Sequence, residues 1–340
     1  MTSSRKILAA LAVAALSQAA GAAAEHLSNI RQLTAGGSNA EAYWSPDGER
    51  LIFQSTRGEH KCDQIYVMNS DGSDVRMVST GKGATTCGYF LPDGKHIVYA
   101  STHEADAACP ARPDRSQGYV WAVYQGYEIY TADDQGKDLK RLTQQTGYDA
   151  EATVNWKTGK IVYTSKSSAD LDLWSMNLDG SGKKQLTASE GYDGGAFISP
   201  DGSKMVWRAH HPADDAALAR YRELLARDLT APMKMELFVA NSDGGEPRQI
   251  TSFGCASFAP QFTPGGKRII FASNRHDCEG RGFELFLVDL DGSNLEQVTE
   301  FGGFTSFAEF SPDGKRLVFT SDRGAKSRYE FNIFVADWVD

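Results

Sequence analysis

Ser45-Pro46-Asp47-Gly48-Glu49-Arg50-Leu51-Ile52-Phe53 couples a tight turn to a strand. Pro presets φ for the first turn position and Gly supplies a positive φ later, so the turn has a mechanism. The β-branched and aromatic residues after it read as a strand. The same unit returns as Leu91-Pro92-Asp93-Gly94, Ser199-Pro200-Asp201-Gly202 and Ser311-Pro312-Asp313-Gly314. Two copies have diverged, Asn155-Trp156-Lys157-Thr158-Gly159 and Thr263-Pro264-Gly265-Gly266. Each copy continues to another strand such as Ile65-Tyr66-Val67 or Leu285-Phe286-Leu287, then a Gly turn, then a short strand such as Gln185-Leu186-Thr187. With the strand before the turn, that makes four antiparallel strands, one propeller blade. The expected fold is an all-β, six-bladed β-propeller.

The termini indicate how the ring shuts. The last unit stops after its third strand at Ile333-Phe334-Val335, and the missing strand is found at the other end as Arg31-Gln32-Leu33-Thr34. The N-terminal strand is therefore expected in the last blade, because an open ring would expose unpaired edges. Pro46, Pro92, Trp156, Pro200, Pro264 and Pro312 are spaced by 46, 64, 44, 64 and 48 residues. The two long intervals place insertions at about 103–126 and 210–234, both on the face that carries the connections between blades. The second contains an amphipathic stretch, Asp214 to Asp228, with Leu218, Tyr221, Leu224 and Leu225 on one face. That helix is expected to be available to a partner.

The chain of 340 residues has 35 Lys+Arg against 44 Asp+Glu, a net charge of -9. That balance argues against a nucleic-acid partner, which needs clustered positive charge. Arg5 and Lys6 precede an apolar run, Ile7 to Leu16, and small residues up to Ala24. This pattern predicts a signal peptide over 1–24, a propeller over 25–340, and a periplasmic or secreted protein with no membrane span. An oxidising compartment turns the five cysteines toward disulfides. Cys255–Cys278 is one expected bridge. Cys62, Cys87 and Cys109 compete for a second, with Cys62–Cys87 favoured.

Unit after unit, the order Ser-Pro-Asp-Gly, apolar strand, Ile-Tyr, Asp-Gly and Leu-Thr resembles the TolB-type propeller repeat, from about residue 28 onward. The resemblance implies the propeller fold and an envelope-binding role. Its repeat is shared with oligosaccharide-degrading propellers and with the propeller half of dipeptidyl-peptidase-like enzymes. Repeats begin almost at the expected cleavage site, so no counterpart of the TolB N-terminal α/β domain is expected. No Gly-x-Ser-x-Gly elbow is present for a hydrolase.

Alignment of the units brings out rings on the top face. Where the family usually has Arg after the second strand, the chain has Arg57, His103, Ser167, His211, Arg275 and Arg323. An acid ring, Gln64, Glu128, Asp172, Glu236, Glu284 and Asn332, opens the third strands, and a simple structural role pairs each cation with the acid of its own hairpin, as Arg275 with Glu284. At the channel mouth stand Asn39-Ala40-Glu41, Thr85-Thr86-Cys87, Asp149-Ala150-Glu151, Asp193-Gly194-Gly195, Ser257-Phe258-Ala259 and Thr305-Ser306-Phe307. Glu41, Asp149, Glu151 and Asp193, with Tyr148 and Tyr192, could orient a ligand; beside the histidines they could hold a divalent cation. Otherwise Asp149 and Asp193 cap loop backbone. No cofactor motif and no catalytic group stand out. The favoured reading is a non-enzymatic binding or scaffold protein with an envelope protein or polymer as partner. The alternatives are a metal-assisted lyase or hydrolase of an acidic oligosaccharide, with a His or Lys166 as base, or an accessory domain to a separate peptidase.

Overall fold

A computed structural model of the chain describes residues 26–116, 118–144 and 147–339. The expected signal peptide lies outside the described residues. Among these, six four-stranded antiparallel sheets form a ring, one sheet per Pro-Asp-Gly unit. The inner strands are Ser38–Trp44, Thr85–Phe90, Asp149–Asn155, Tyr192–Ile198, Ser257–Phe262 and Thr305–Phe310. Side chains of neighbouring blades interlock between the sheets, with Trp44, Trp207, Tyr99, Phe53, Phe271 and Phe286 fully buried.

The turns are held by their own side chains. In the first, Ser45 Oγ donates to Asp47 Oδ1 at 2.5 Å, and Gly48 N donates to the Ser45 carbonyl at 2.8 Å. The copies at Ser199–Asp201 and Ser311–Asp313 repeat the hydroxyl–carboxylate bond at 2.6 Å. The strand Leu27–Gln32 pairs antiparallel with Asn332–Trp338, as the sequence predicts, and shuts the ring.

The acid ring turns out to lock the fourth strand of each blade. Glu236 and Glu284 accept from Thr251 and Thr299 Oγ1 at 2.6 and 2.5 Å. Each Thr hydroxyl accepts in turn from the backbone N–H after the acid, at 2.8 Å from Leu237 and 2.9 Å from Leu285. Glu128 with Thr143 and Asp172 with Thr187 repeat the lock, and Gln64 with Ser79 forms a neutral version. In the closing blade Thr34 Oγ1 donates to Asn332 Oδ1 at 3.2 Å and accepts from Ile333 N at 2.9 Å. Thr299→Val leaves the buried Leu285 N–H and one Glu284 oxygen unpaired. Denaturant unfolding of that variant is expected to lose about 1–3 kcal/mol, the cost of orphaned buried groups; an unchanged midpoint would make the lock incidental.

Candidate functional site

Every inner strand carries a bulge at one equivalent position, where the register with the second strand slips. The residues there, Glu41, Cys87, Glu151, Gly195, Ala259 and Phe307, all have φ between 50° and 60°. Left-handed backbone is unusual for non-glycine residues. All six line a funnel of about 860 Å3 that opens on the top face.

The two insertions roof part of this funnel together. Trp121–Ala122 of the first pairs with Leu229–Thr230 of the second, and Val123 N donates to the Asp228 carbonyl at 2.7 Å. The helix Asp215–Leu225 is N-capped by Asp214 and buries Tyr221, Leu224 and Leu225. That face packs inward, Tyr221 and Leu225 beside Val123 and Leu171, and Leu224 beside Val120 and Leu229. The helix face expected to meet a partner is therefore used within the chain. Lys166 reaches across from blade three to Asp228 and to the Leu225 carbonyl, both at 3.0 Å, so it anchors the roof. A disulfide between Cys62 and Cys109 ties the first insertion to blade one, and Cys255 pairs with Cys278.

The expected Cys62–Cys87 bridge is corrected by this arrangement. Cys87 is free, and the reason is its bulge. Its thiol points into the funnel and donates to Glu41 Oε2 at 3.0 Å, while Cys62 lies in the loop that meets the insertion.

The funnel has two unlike walls. Phe258, Phe304 and Phe307 of blades five and six form an aromatic side, with Trp121 of the roof edge-on to Phe258 at 6.3 Å. The opposite side carries Glu41, Asp63, Cys87, Glu151 and Arg208. The floor is closed by Tyr43 and Phe197, whose rings lie 5.8 Å apart.

Arg208 organises the polar wall. Its Nη2 donates to Glu151 Oε1 and, at 2.8 Å, to the Tyr192 hydroxyl. Glu151 Oε2 also accepts from Thr164 Oγ1 at 2.6 Å and Gly195 N at 3.1 Å. The guanidinium occupies the space a side chain on Gly195 would fill, since a Cβ there would run into it. Burial works against the Arg208 charge, but Glu151, Tyr192 and Glu41 outweigh it and raise its affinity for the proton. Burial also lifts Glu41 to about 7, against the opposing pull of the Cys87 hydrogen bond and of Arg208. The Cys87 thiol is pushed well up, chiefly by burial and then by Glu41, so it is held protonated.

Of the ligand residues expected from the sequence, Glu41, Glu151, Tyr148 and Tyr192 line the funnel. The others are engaged elsewhere. Asp193 is buried and accepts from Trp207 Nε1 at 2.6 Å, with His211 Nε2 at 3.0 Å. Asp149 is buried beneath Ser165, its carboxyl raised to about 6 by burial. The cation ring lies along the blade hairpins, against aromatic faces. Arg57 sits over Tyr66 at 5.1 Å, Arg275 over Phe253 at 4.7 Å and Arg323 over Phe301 at 4.1 Å. His103 packs on Tyr130 at 4.4 Å, with burial lowering its basicity. The expected Arg275–Glu284 pair is thus replaced by cation–π contacts, because Glu284 is taken by Thr299 and by Gly302 N at 2.7 Å. Among the described residues no three His, Cys, Asp or Glu side chains are grouped so as to hold a metal ion.

Arg208, Asp63 and Trp121 were not found from the sequence. A signal for Arg208 does exist. The equivalent second-strand positions are Gln54, Ala100, Thr164, Ala272 and Thr320, and blade four alone sets an arginine opposite a Gly-Gly pair.

Residues 229–335 match the family described as the TolB beta propeller domain. A provisionally assigned TolB from Agrobacterium tumefaciens superposes with a TM-score of 0.60 at 18% identity, over 92% of this chain and 97% of that one. TolB from Acinetobacter baumannii gives 0.59 at 18% identity, over 81% of this chain; the match spans 58% of the Acinetobacter protein. An oligogalacturonate lyase in complex with manganese gives 0.50 at 14% identity, over 92% and 93%. At these identities the likeness establishes the fold.

Proposed function

We propose that this chain, a TolB-type β-propeller, is an exported, non-enzymatic binding protein of the cell envelope that presents its top face and funnel to a partner protein or polymer. The observation that carries the reading is the roof. Two insertions that no propeller blade needs are joined to each other and stapled to blade one over one end of the ring. Insertions gathered on one face of a repeat scaffold mark its binding side. The rim they create also displays Tyr119 and, from blade six, Tyr329, which are 43% and 64% exposed. Exposed tyrosines at the lip of a concave, aromatic-lined site are typical recognition groups. His103, His211, Asp149 and Asp193 already bond to neighbours in their own blades, which suits scaffolding more than proton transfer. Two disulfides fit an oxidising compartment outside the cytoplasm.

The reading is tested by site-specific photo-cross-linking of the full chain in its own cells. A photoreactive residue at position 329 is expected to yield a discrete adduct. The same residue at position 75, exposed beside the Asp71-Gly72 turn at the opposite end of the ring, should not. Equal labelling from both ends, or none from 329, would sink the proposal.

A further inference from the structure

The polar wall of the funnel is unfinished in two ways of opposite sign. Arg208 is 9% exposed and spends only Nη2 on Glu151 and Tyr192. Its Nε is buried without a hydrogen-bond partner, and Nη1 makes no hydrogen bond among the described residues either. Nη1 lies where Gly195 lacks a side chain, facing the funnel. An arginine half-used in this way presents a donor set suited to a carboxylate.

Glu41 is the complement. Among the described residues its carboxyl receives one hydrogen bond, from the Cys87 thiol to Oε2, which leaves Oε1 facing the funnel. It makes no ion pair with Arg208 among the described residues, although each guanidinium or carboxylate feels the other's field. Asp63 stands beside it, with Gln54 Nε2 donating at 3.3 Å and Thr56 also bonded. On this wall three carboxyl groups, Glu41, Asp63 and Glu151, share one guanidinium, which Glu151 already holds; Arg112 and Arg115 also line the funnel, but from the first insertion, where Arg115 lies over the Tyr119 ring at 4.7 Å. The deficit is one of positive charge near Glu41, next to an unsatisfied positive donor on Arg208.

We propose that the funnel binds an α-amino-acid head group, with its ammonium on Glu41 and Asp63 and its carboxylate on Arg208 Nη1. This deepens the binding reading and rests on it. A single head group leaves most of the 860 Å3 vacant, so it is carried on a larger molecule whose tail runs along Phe258, Phe304 and Phe307 toward the rim. A lone amine would leave Arg208 unmet, and a lone carboxylate would add a fourth carboxyl group to this wall. The zwitterion answers both.

The test is calorimetric titration of the mature chain with four matched probes: L-phenylalanine, phenethylamine, 3-phenylpropionate and N-acetyl-L-phenylalanine. Phenylalanine is expected to bind, and each analogue lacking one charge to bind at least about tenfold more weakly, as for loss of a charge-assisted hydrogen bond. Phenethylamine or 3-phenylpropionate binding as well as phenylalanine overturns the zwitterion, and so does the absence of any binding. Glu41→Gln is expected to erase the discrimination against 3-phenylpropionate; retained discrimination overturns the role of Glu41. Affinity should also rise about tenfold from pH 6 to pH 8. The carboxyl, held at about 7, must ionise to meet the ammonium. The groups around it are Asp63 and Tyr43 of blade one, Cys87 and Tyr127 of blade two, Glu151 and Tyr148 of blade three, Arg208 and Tyr192 of blade four, and Arg112, Arg115 and Tyr124 of the roof. Failure of the probe series with an intact adduct at position 329 would remove this inference and leave the binding role standing.

Discussion

Replacement of Glu309 by Gln is expected to stabilise the propeller at alkaline pH while changing little near pH 4. Glu309 lies on the inner strand of blade six, 6% exposed. One carboxyl oxygen accepts from the Tyr89 hydroxyl at 2.5 Å and the other from Trp44 N at 2.7 Å. These bonds join blades six, one and two around the channel floor, where the Tyr43 and Tyr89 rings lie 5.2 Å apart, tilted by 44°. Burial lifts the carboxyl from 4.5 to about 8, with both hydrogen bonds acting the other way. A raised acid holds its proton in the native state after the unfolded chain has released it. Its stabilising contribution is therefore complete below pH 4.5 and lost as pH climbs through 8. Over that window the loss is of order 5 kcal/mol at ~1.4 kcal/mol per pH unit.

Glutamine keeps an oxygen for Trp44 N and an amide for Tyr89, without a charge to bury. Thermal melts of wild type and Glu309→Gln between pH 4 and pH 9 should therefore diverge, with the variant melting higher at pH 9. Glu41 at about 7, and Asp149 and Asp172 at about 6, also weaken the wild type over part of this range. They are common to both proteins, so the difference isolates Glu309. Parallel curves would mean that the carboxyl is ionised and hydrated in the fold.

Removal of residues 26–34 from a chain that begins at residue 26 is expected to destabilise the whole ring and not one strand alone. The strand Leu27–Gln32 supplies the outer strand of blade six, and its Leu27 and Ile30 pack against that blade, with Leu33 on blade one. Thr34 provides the last of the six strand locks. Loss of these partly buried side chains and bonds is worth on the order of 4 kcal/mol or more. That corresponds to a fall of about 10 °C or more in melting temperature for a domain of this size. The exposed edge of Asn332–Trp338 should also pair between molecules, visible as oligomers in size-exclusion chromatography. A truncated chain that stays monomeric and melts like the wild type would refute closure by the N-terminal strand.

Much of the fold was legible because its determinants are local and repeated. Ser45-Pro46-Asp47-Gly48 specifies its turn from four neighbouring residues, and six copies in a row leave one architecture that buries every apolar face. The missing strand of the last unit could be read from the same count. The channel-mouth triplets were legible too, since alignment of repeats brings Glu41, Cys87, Glu151 and Gly195 to one level.

Contacts that depend on direction across the ring were not legible. Arg275 has Glu284 in reach along its hairpin, yet Thr299 claims that acid and the guanidinium settles on an aromatic ring, as those of Arg57 and Arg323 also do. Cys62 could pair with Cys87 or Cys109, and only the bulge at Cys87 turns that thiol into the funnel. The sequence by itself determined the blades, their number, their turns and the strand that closes them, because each is encoded within one repeat or by its absence. The roof, the Cys62–Cys109 staple and the meeting of Arg208 with Glu151, Tyr192 and Glu41 were decided only by tertiary structure. They join residues from different blades, and no local pattern states which of two chemically acceptable partners a side chain will reach once the ring has shut.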